Sequence, residues 1–266
     1  MVALSAAASA DPARRFGGLQ RLYGIEPAQR IFDAHVVVAG IGGVGSWTVE
    51  ALARSGVGHL TLIDMDHIAE SNINRQIHAL DSTLGAAKVE AMRARIAQIN
   101  HDCQVRVIDD FVTPDNWPAL LGDGAALPSA LVDACDQIRA KTAMAHWAMR
   151  SGVPFITVGA AGGKRLAHAV DLADLAEVTH DPLLAQLRYR LRRHHGAARS
   201  GRIGVGCVFS REAVVPADAS CVVEGGGDHS LNCHGYGSAV TVTATFGLCA
   251  ASWVMNRLAQ AGGGRR

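Results

Sequence analysis

Gly40, Gly42, Gly43 and Gly45 follow the apolar run Val36-Val37-Val38-Ala39 without a break, and Ser71-Asn72-Ile73-Asn74-Arg75-Gln76 comes later in the chain. A glycine turn between a strand and a helix lets backbone N–H groups approach a phosphate chain with no Cβ in the way, so this pairing predicts an anionic nucleotide ligand. The same glycines could also serve close helix–strand packing with no ligand. Arg75, held among amides, aims a positive charge at a triphosphate end, which ATP has and a redox dinucleotide lacks. Asp64 closes the next apolar run, where a carboxylate can accept hydrogen bonds from ribose hydroxyls or cap a turn. Asp66 and Lys88 follow it. Asp136, just past Leu131-Val132-Asp133-Ala134-Cys135, suits a magnesium carboxylate, since magnesium keeps waters and needs one or two protein carboxylates beside phosphate oxygens. Its alternative is the N-cap of the helix that follows.

Strand and helix patterns alternate from residue 35 to about 158, which predicts an α/β Rossmann-like fold with a mostly parallel sheet and helices on both faces. Strands are expected at Val36–Ala39, His59–Asp64, Gln104–Ile108, Ala130–Ala134 and Phe155–Val158, with helices over Gly43–Ser55 and Leu84–Asn100. Phosphate chemistry belongs at the carboxyl ends of such strands. After Gly159-Ala160-Ala161-Gly162-Gly163 the rhythm breaks. A short strand, a helix near Leu183–His195, a strand at Gly204–Ser210, a loop over 211–234 and an uncharged terminal helix extend the sheet as a smaller C-terminal part. The expected organisation is a disordered arm over 1–13, an ATP-binding region over 14–160, a substrate-facing region over 161–258 in the same globular unit, and a flexible tail over 259–266.

With 266 residues and 49% hydrophobic content the chain can bury a large core. A net charge of +1 gives no overall attraction to nucleic acid, so an RNA partner must be met by a local patch, and no DNA partner is expected. Six cysteines, at 103, 135, 207, 221, 233 and 249, contain no CxxC pair, which argues against a zinc site and fits reduced thiols in the cytoplasm. No secretory signal opens the sequence. Gly235–Asn256 is free of charge, but its threonines, glycines and alanines suit a helix packed inside a protein better than a membrane span.

The set Asp64, Asp66, Asn72, Arg75, Gln76 and Lys88 has no use in a dehydrogenase, and here the chain resembles the ubiquitin-activating-enzyme-like superfamily of ATP-dependent adenylating enzymes, the ThiF and MoeB type. The resemblance implies that Gly40, Gly42, Gly43, Gly45 and Asp64 hold ATP, that Asn72, Arg75, Gln76 and Lys88 grip its phosphates, and that Asp136 binds Mg2+. Arg75, Lys88 and Asp136 are then the catalytic set. Sulfur-carrier-activating members share two CxxC pairs that are absent here. Outside the nucleotide motifs the chain is similar to the tRNA threonylcarbamoyladenosine dehydratase branch. The similarity lies in Arg15-Phe16-Gly17-Gly18, Arg21-Leu22-Tyr23-Gly24, Asn74 to Leu80, Asp110 to Asn116, Gly206-Cys207-Val208-Phe209-Ser210 and Thr241 to Gly247.

This second resemblance implies ATP-dependent cyclisation of a threonylcarbamoyl group on an adenosine beside a tRNA anticodon, through a carboxyl adenylate, with AMP and pyrophosphate released. The alternative is activation of the C-terminus of a ubiquitin-like sulfur-carrier protein. Between Pro182 and Ser210 no acidic residue occurs, while Arg188, Arg190, Arg192, Arg193, Arg199 and Arg202 accumulate, a stretch suited either to tRNA phosphates or to a solvated helix face. Cys233 matches a cysteine of the dehydratase branch beside His234; it is either a reactive thiol or a small buried hydrophobe, and the reaction does not require it. The superfamily further implies a homodimer in which an arginine crosses to the partner's ATP. The matching position here is glycine, leaving Arg15 or Arg21 for that role. A cysteine desulfurase or other sulfur-acceptor partner is also hinted at by the resemblance.

Overall fold

A computed structural model describes residues 11–122, 124–216, 218 and 236–261. Helices α1 (Pro12–Tyr23) and α2 (Ile25–Phe32) precede strand β1 (His35–Ala39), which leads through the glycine turn into α3 (Gly45–Arg54). Then come β2 (His59–Ile63), α4 (Lys88–Ile99), β3 (Gln104–Ile108), β4 (Ala130–Asp133), α5 (Ile138–Ser151) and β5 (Phe155–Val158). The C-terminal part supplies β6 (Val170–Asp174), α6 (Pro182–His194), β7 (Gly206–Ser210) and α7 (Val240–Gln260). All seven strands join one sheet in the order β3-β2-β1-β4-β5-β7-β6, parallel throughout except for β6 against β7.

The period of two along each strand explains the two cores. Val36, Val38, Leu60, Leu62, Val132 and Val158 point to the face covered by α3, α4 and α7, while Val37, Ala39, Ile63, Leu131 and Phe155 point to the face covered by α5 and α6. On α7, Val242, Phe246, Ala250, Val254 and Leu258 recur every four residues and are buried in the first core. That accounts for the uncharged terminal run: no helix among the described residues is long and apolar enough to cross a membrane.

Two boundaries differ from expectation for identifiable reasons. The first helix begins at Pro12, inside the stretch read as a disordered arm, because Asp11 Oδ1 accepts hydrogen bonds from the amides of Ala13 and Arg14 and proline suits the first helical position. Helix α4 starts at Lys88 and not at Leu84. Gly85 adopts φ +82°, and a bridge between His67 and Ala87 keeps the chain extended up to Lys88, whose amide donates to the Asp66 carbonyl. This displacement sets Lys88 at the mouth of the helix beside Asp66.

The order β3-β2-β1-β4-β5 places the reversal of strand order between β1 and β4, the crevice where open α/β sheets bind ligands. Ala39 pairs with Ile63 on one side and with Asp133 on the other. The residues that follow each strand, Gly40, Asp64 and Ala134, therefore leave the sheet at one level.

Candidate active site

Glycine is sterically required at two points of the turn. Gly40 has φ +86°, and a Cβ there would lie 2.8 Å from the Ala134 carbonyl; a Cβ on Gly45 would lie 1.8 Å from Gly40 O. The turn is thereby pressed onto the end of β4. Gly42 and Gly43 do different work: side chains built there would face Gln76 Nε2 at 3.9 Å and the Arg75 Cγ and Cδ at 3.4 Å. They hold open the space between the turn and the Asn72–Gln76 segment. Helix α3 begins after Val44 with no side-chain cap; the Ser46 amide donates to the Gly42 carbonyl and the Thr48 amide to the Val44 carbonyl, and the positive end of the helix faces this space.

The turn is clamped on both sides of Ile41. Asp64 Oδ2 accepts from the Ile41 amide at 2.6 Å, and His78 Nε2 donates to the Ile41 carbonyl at 2.9 Å. Asp64 Oδ1 also accepts from the Asp66 amide at 2.8 Å, so this buried carboxylate both shapes the turn and keeps unused lone pairs for a ribose. Burial raises the Asp64 pKa against the opposing pull of Lys88 and of the two amides. Burial pushes His78 down to about 4, which keeps its ring neutral.

Lys88, itself buried, donates to Asp66 Oδ2 at 2.6 Å. Asp136 completes the group: burial of its inner side raises its pKa, Asp66 adds to this, and Lys141 and Lys88 pull the other way. The N-cap position of α5 is taken by Gln137, so Asp136 is not the cap. Its carboxylate forms no ion pair among the described residues and accepts from its own amide, and it is close enough to Asp66, whose Oδ2 is held by Lys88, for the two charges to interact; one or two such carboxylates beside phosphate oxygens suit the donor set of magnesium. Buried polar atoms without partners, Ser46 Oγ on α3 and Gln76 Oε1, lie on the segments that face each other across the turn, as expected of groups that a nucleotide would satisfy.

Arg75 is placed but not aimed. Its side chain lies beside Gly43, while Nη1 donates to Ser71 O at 2.5 Å and to Asn74 Oδ1 at 3.0 Å. Its carbonyl is gripped by Trp47 Nε1 at 3.0 Å and Thr243 Oγ1 at 3.3 Å, and Asn74 Nδ2 donates to Ser238 O at 2.9 Å. The terminal helix thus holds the arginine segment against α3. Asn72 turns inward, where Oδ1 accepts from the Ala69 amide at 3.1 Å and stabilises the short helical turn ahead of Arg75.

A buried group missed by sequence reasoning stands under Asp136. Lys141 Nζ, with no exposure to solvent, donates to Asp133 Oδ2 at 3.1 Å, Thr157 Oγ1 at 3.0 Å and Val158 O at 2.8 Å, and Asp133 Oδ1 accepts from the Cys135 amide at 3.1 Å. This network fixes the turn from β4 into α5. Only the i,i+8 spacing of an aspartate and a lysine in apolar surroundings could have signalled it. Cys207 is fully buried in β7, where burial raises its thiol pKa well above the usual range, as fits a packing role.

The six arginines of the basic stretch part company. Arg188 donates to the Leu175 and Val178 carbonyls, Arg192 to Ala198 O, Arg193 stacks over Tyr189, and Arg202 lies 3.8 Å from Asp174. Arg199 is exposed and Arg190 half-buried. Of the two arginines considered for a dimer crossing, Arg15 donates to Ile99 O at 2.7 Å within its own chain, and Arg21 folds back over Gly17 and Gly18. Cys233 lies outside the described residues.

Comparison with known proteins adds three findings. The chain is 45% identical over 253 residues to the tRNA threonylcarbamoyladenosine dehydratase of Escherichia coli K12, covering 92% of this chain and 93% of that one. It is 41% identical over 250 residues to the Haemophilus influenzae protein of the same name, at 92% and 93% coverage. The crystal structure of the E. coli tRNA N6-threonylcarbamoyladenosine dehydratase in complex with ATP superposes with a TM-score of 0.82 at 44% identity, covering 94% of this chain and 96% of that one. With a glycine turn, an uncapped helix and a lysine–carboxylate cluster at the β1/β4 crevice, and with residues 17–265 matching the ThiF family model, this chain belongs to the ThiF family.

Proposed function

We propose that this protein catalyses the ATP-dependent dehydration of N6-threonylcarbamoyladenosine in tRNA to its cyclic form, releasing AMP and pyrophosphate. The observation that carries this reading is the extent of the match. The nucleotide half is common ground for many adenylating enzymes: a molybdopterin-synthase adenylyltransferase is 33% identical over 137 residues, 52% of this chain, whereas similarity to the dehydratases runs on through the C-terminal part.

The site supplies positioning and charge. The amides at the start of α3 and the Gly40–Gly45 turn receive phosphates, Asp64 receives the ribose, and Lys88 and Arg75 neutralise the oxygens that crowd the α-phosphate. Both cations are held in reserve by the protein itself, Lys88 on Asp66 and Arg75 on Ser71 and Asn74. Each exchanges its protein partner for a phosphate oxygen. Asp136 and Asp66 would hold Mg2+, which when bound supplies further neutralisation of the phosphates. The threonyl carboxylate attacks the α-phosphate and pyrophosphate leaves; a neighbouring group of the same modification then attacks the adenylated carbonyl, loses its proton and closes a five-membered ring as the bond from that carbonyl to AMP breaks and AMP departs. High effective molarity within one substrate makes an enzyme nucleophile unnecessary. A homodimer fits the exposed apolar side chains of α1 and α2, where Leu22 is 75% and Ile25 is 74% accessible, and a cytoplasmic setting fits a tRNA substrate.

The test is incubation with ATP, Mg2+ and tRNA carrying the threonylcarbamoyl group. The expected result is AMP formation matched by loss of one water from the modified nucleoside in mass spectra. AMP formed only with a ubiquitin-like protein ending in Gly-Gly, or a preference for NAD over Mg-ATP in binding, would overturn it.

A further inference from the structure

A second concave site lies on the other face of the sheet, between α5, α6 and the segment around Trp117. It is a cleft of about 620 Å³. Arg139, His146 and Arg150 enter it from α5, Arg190 and His195 from α6 and its end, and no carboxylate lines it. In a chain of net charge +1, three arginines around one cleft with no carboxylate in its lining are a segregated positive field, while burial and the neighbouring His146 lower the His195 pKa and favour its neutral ring. Trp117 and Trp147 form part of the wall with their rings edge to face at 5.3 Å, and the His146 and His195 rings lie 4.2 Å apart at 37°.

Two buried donors among these residues have no partner: Nε of Arg190 and Nε1 of Trp117, the latter on a side chain only 7% exposed. A buried N–H left unmade costs free energy, and the protein otherwise leaves few of them. Nothing in the fold of α6 requires Arg190 here, since Leu183, Leu184, Leu187 and Leu191 already fill its inner face. Placement points the same way. Residues 139, 142, 143, 146, 147 and 150 form one stripe of α5, about 16 Å long at 1.5 Å per residue, and the stripe begins one turn from Asp136.

We propose that this cleft receives the phosphodiester chain of the tRNA flanking the reacting nucleoside, with arginines on phosphates and aromatic rings against ribose or base. The proposal rests on the reading that the substrate is tRNA and names where its backbone lies. RNA fits better than an acidic peptide because flat aromatic and imidazole faces serve base stacking as well as charge. It also explains the dispersal of the Arg188–Arg202 stretch: one of those arginines, Arg190, joins residues of α5 that are distant in sequence.

The experiment is a binding titration of unmodified tRNA transcript without ATP, across potassium chloride concentrations, for the wild-type chain, Arg150→Gln, Arg190→Gln and the double variant. Arg93→Gln on α4, across the sheet, is the control. Each cleft arginine removed is expected to weaken tRNA binding several-fold and to reduce the slope of log K against log salt by about one, uniformly across tRNA sequences. In turnover with modified tRNA the KM for tRNA should rise while kcat and ATP affinity hold. Arg150→Glu, at an exposed position of α5, serves the same purpose should Arg190→Gln disturb packing. Unchanged affinity and slope in the double variant would overturn the proposal, as would a polyglutamate peptide binding the cleft in preference to tRNA. Wild-type chain that binds tRNA through these arginines but forms no AMP would overturn the dehydratase reading and leave the cleft standing.

Discussion

Arg75 and Asp136 differ in how ready they are. Asp136 forms no ion pair among the described residues and accepts a hydrogen bond from its own amide, whereas the Arg75 guanidinium rests on Ser71 and Asn74 and, in the proposed reaction, would have to leave them to reach phosphate. Replacing either with alanine should lower AMP formation on the order of 10²-fold or more, with an unchanged far-UV spectrum and melting point, because each acts where charge develops and not in packing. Full activity in either variant would remove that side chain from the mechanism. His78 carries the opposite kind of burden. Burial holds its pKa at about 4 in the folded chain, against about 6.5 when unfolded, so the unfolded state binds the extra proton as pH falls through this window. Stability from this residue is complete above the unfolded value and is lost toward the folded one, about 3 kcal/mol in all. Urea titrations between pH 7.5 and 4.5 should show that loss in the wild-type chain and a flatter profile in His78→Gln; parallel profiles would contradict the assignment.

Two elements distant in sequence make the nucleotide turn. Helix α7 lies so close to α3 that a Cβ on Gly247 would stand 2.5 Å from Val44 O and 2.8 Å from Trp47 Cβ, while Thr48 Oγ1 donates to Gly247 O at 3.2 Å. Val44 is the residue before α3, and Trp47 holds the Arg75 carbonyl, so any outward shift of α7 reaches both halves of the site. Gly247→Ala should therefore cost about 1–3 kcal/mol through overpacking, and weaken ATP binding under conditions where the chain is still folded. Isothermal titration with ATP beside a urea midpoint separates the two effects. Loss of stability with unaltered ATP affinity would show that α7 supports the core alone.

At the scale of the molecule, β6 and β7 continue the sheet and α7 packs over β4, β5, β7 and β6 and against α3, so the C-terminal part supplies one wall of the nucleotide region's own core. A fragment of residues 11–160 would expose Val132, Ile156 and Val158 of β4 and β5 beneath the missing α7. It is expected to lack a cooperative urea transition, whereas the full chain should unfold in one step that Mg-ATP moves to higher denaturant. A fragment with its own sharp transition and ATP binding would show that the nucleotide region folds alone.

Alternation of apolar strands with helices made the parallel sheet legible, and the glycine turn and Asp64 could be placed because strand ends and turn chemistry are local, whereas the roles read for Lys88 and Asp136 came from the resemblance to a family and not from backbone geometry. The start of α4 was not legible, since a bridge between His67 and Ala87 overrides the helical pattern that begins at Leu84. Nor was the clamp of His78 on Ile41, the buried Lys141–Asp133–Thr157 network, or the hold of Thr243 on Arg75, all of which join residues far apart in the chain. The basic stretch shows the limit most plainly: one run of arginines in the sequence becomes carbonyl anchors, surface charges and a single wall of a cleft. Strand period, turn chemistry and motif spacing are local properties that the sequence by itself determined. Which side chains meet, and which of them are left with unsatisfied donors, depends on contacts across the sheet, and only the tertiary structure decided that.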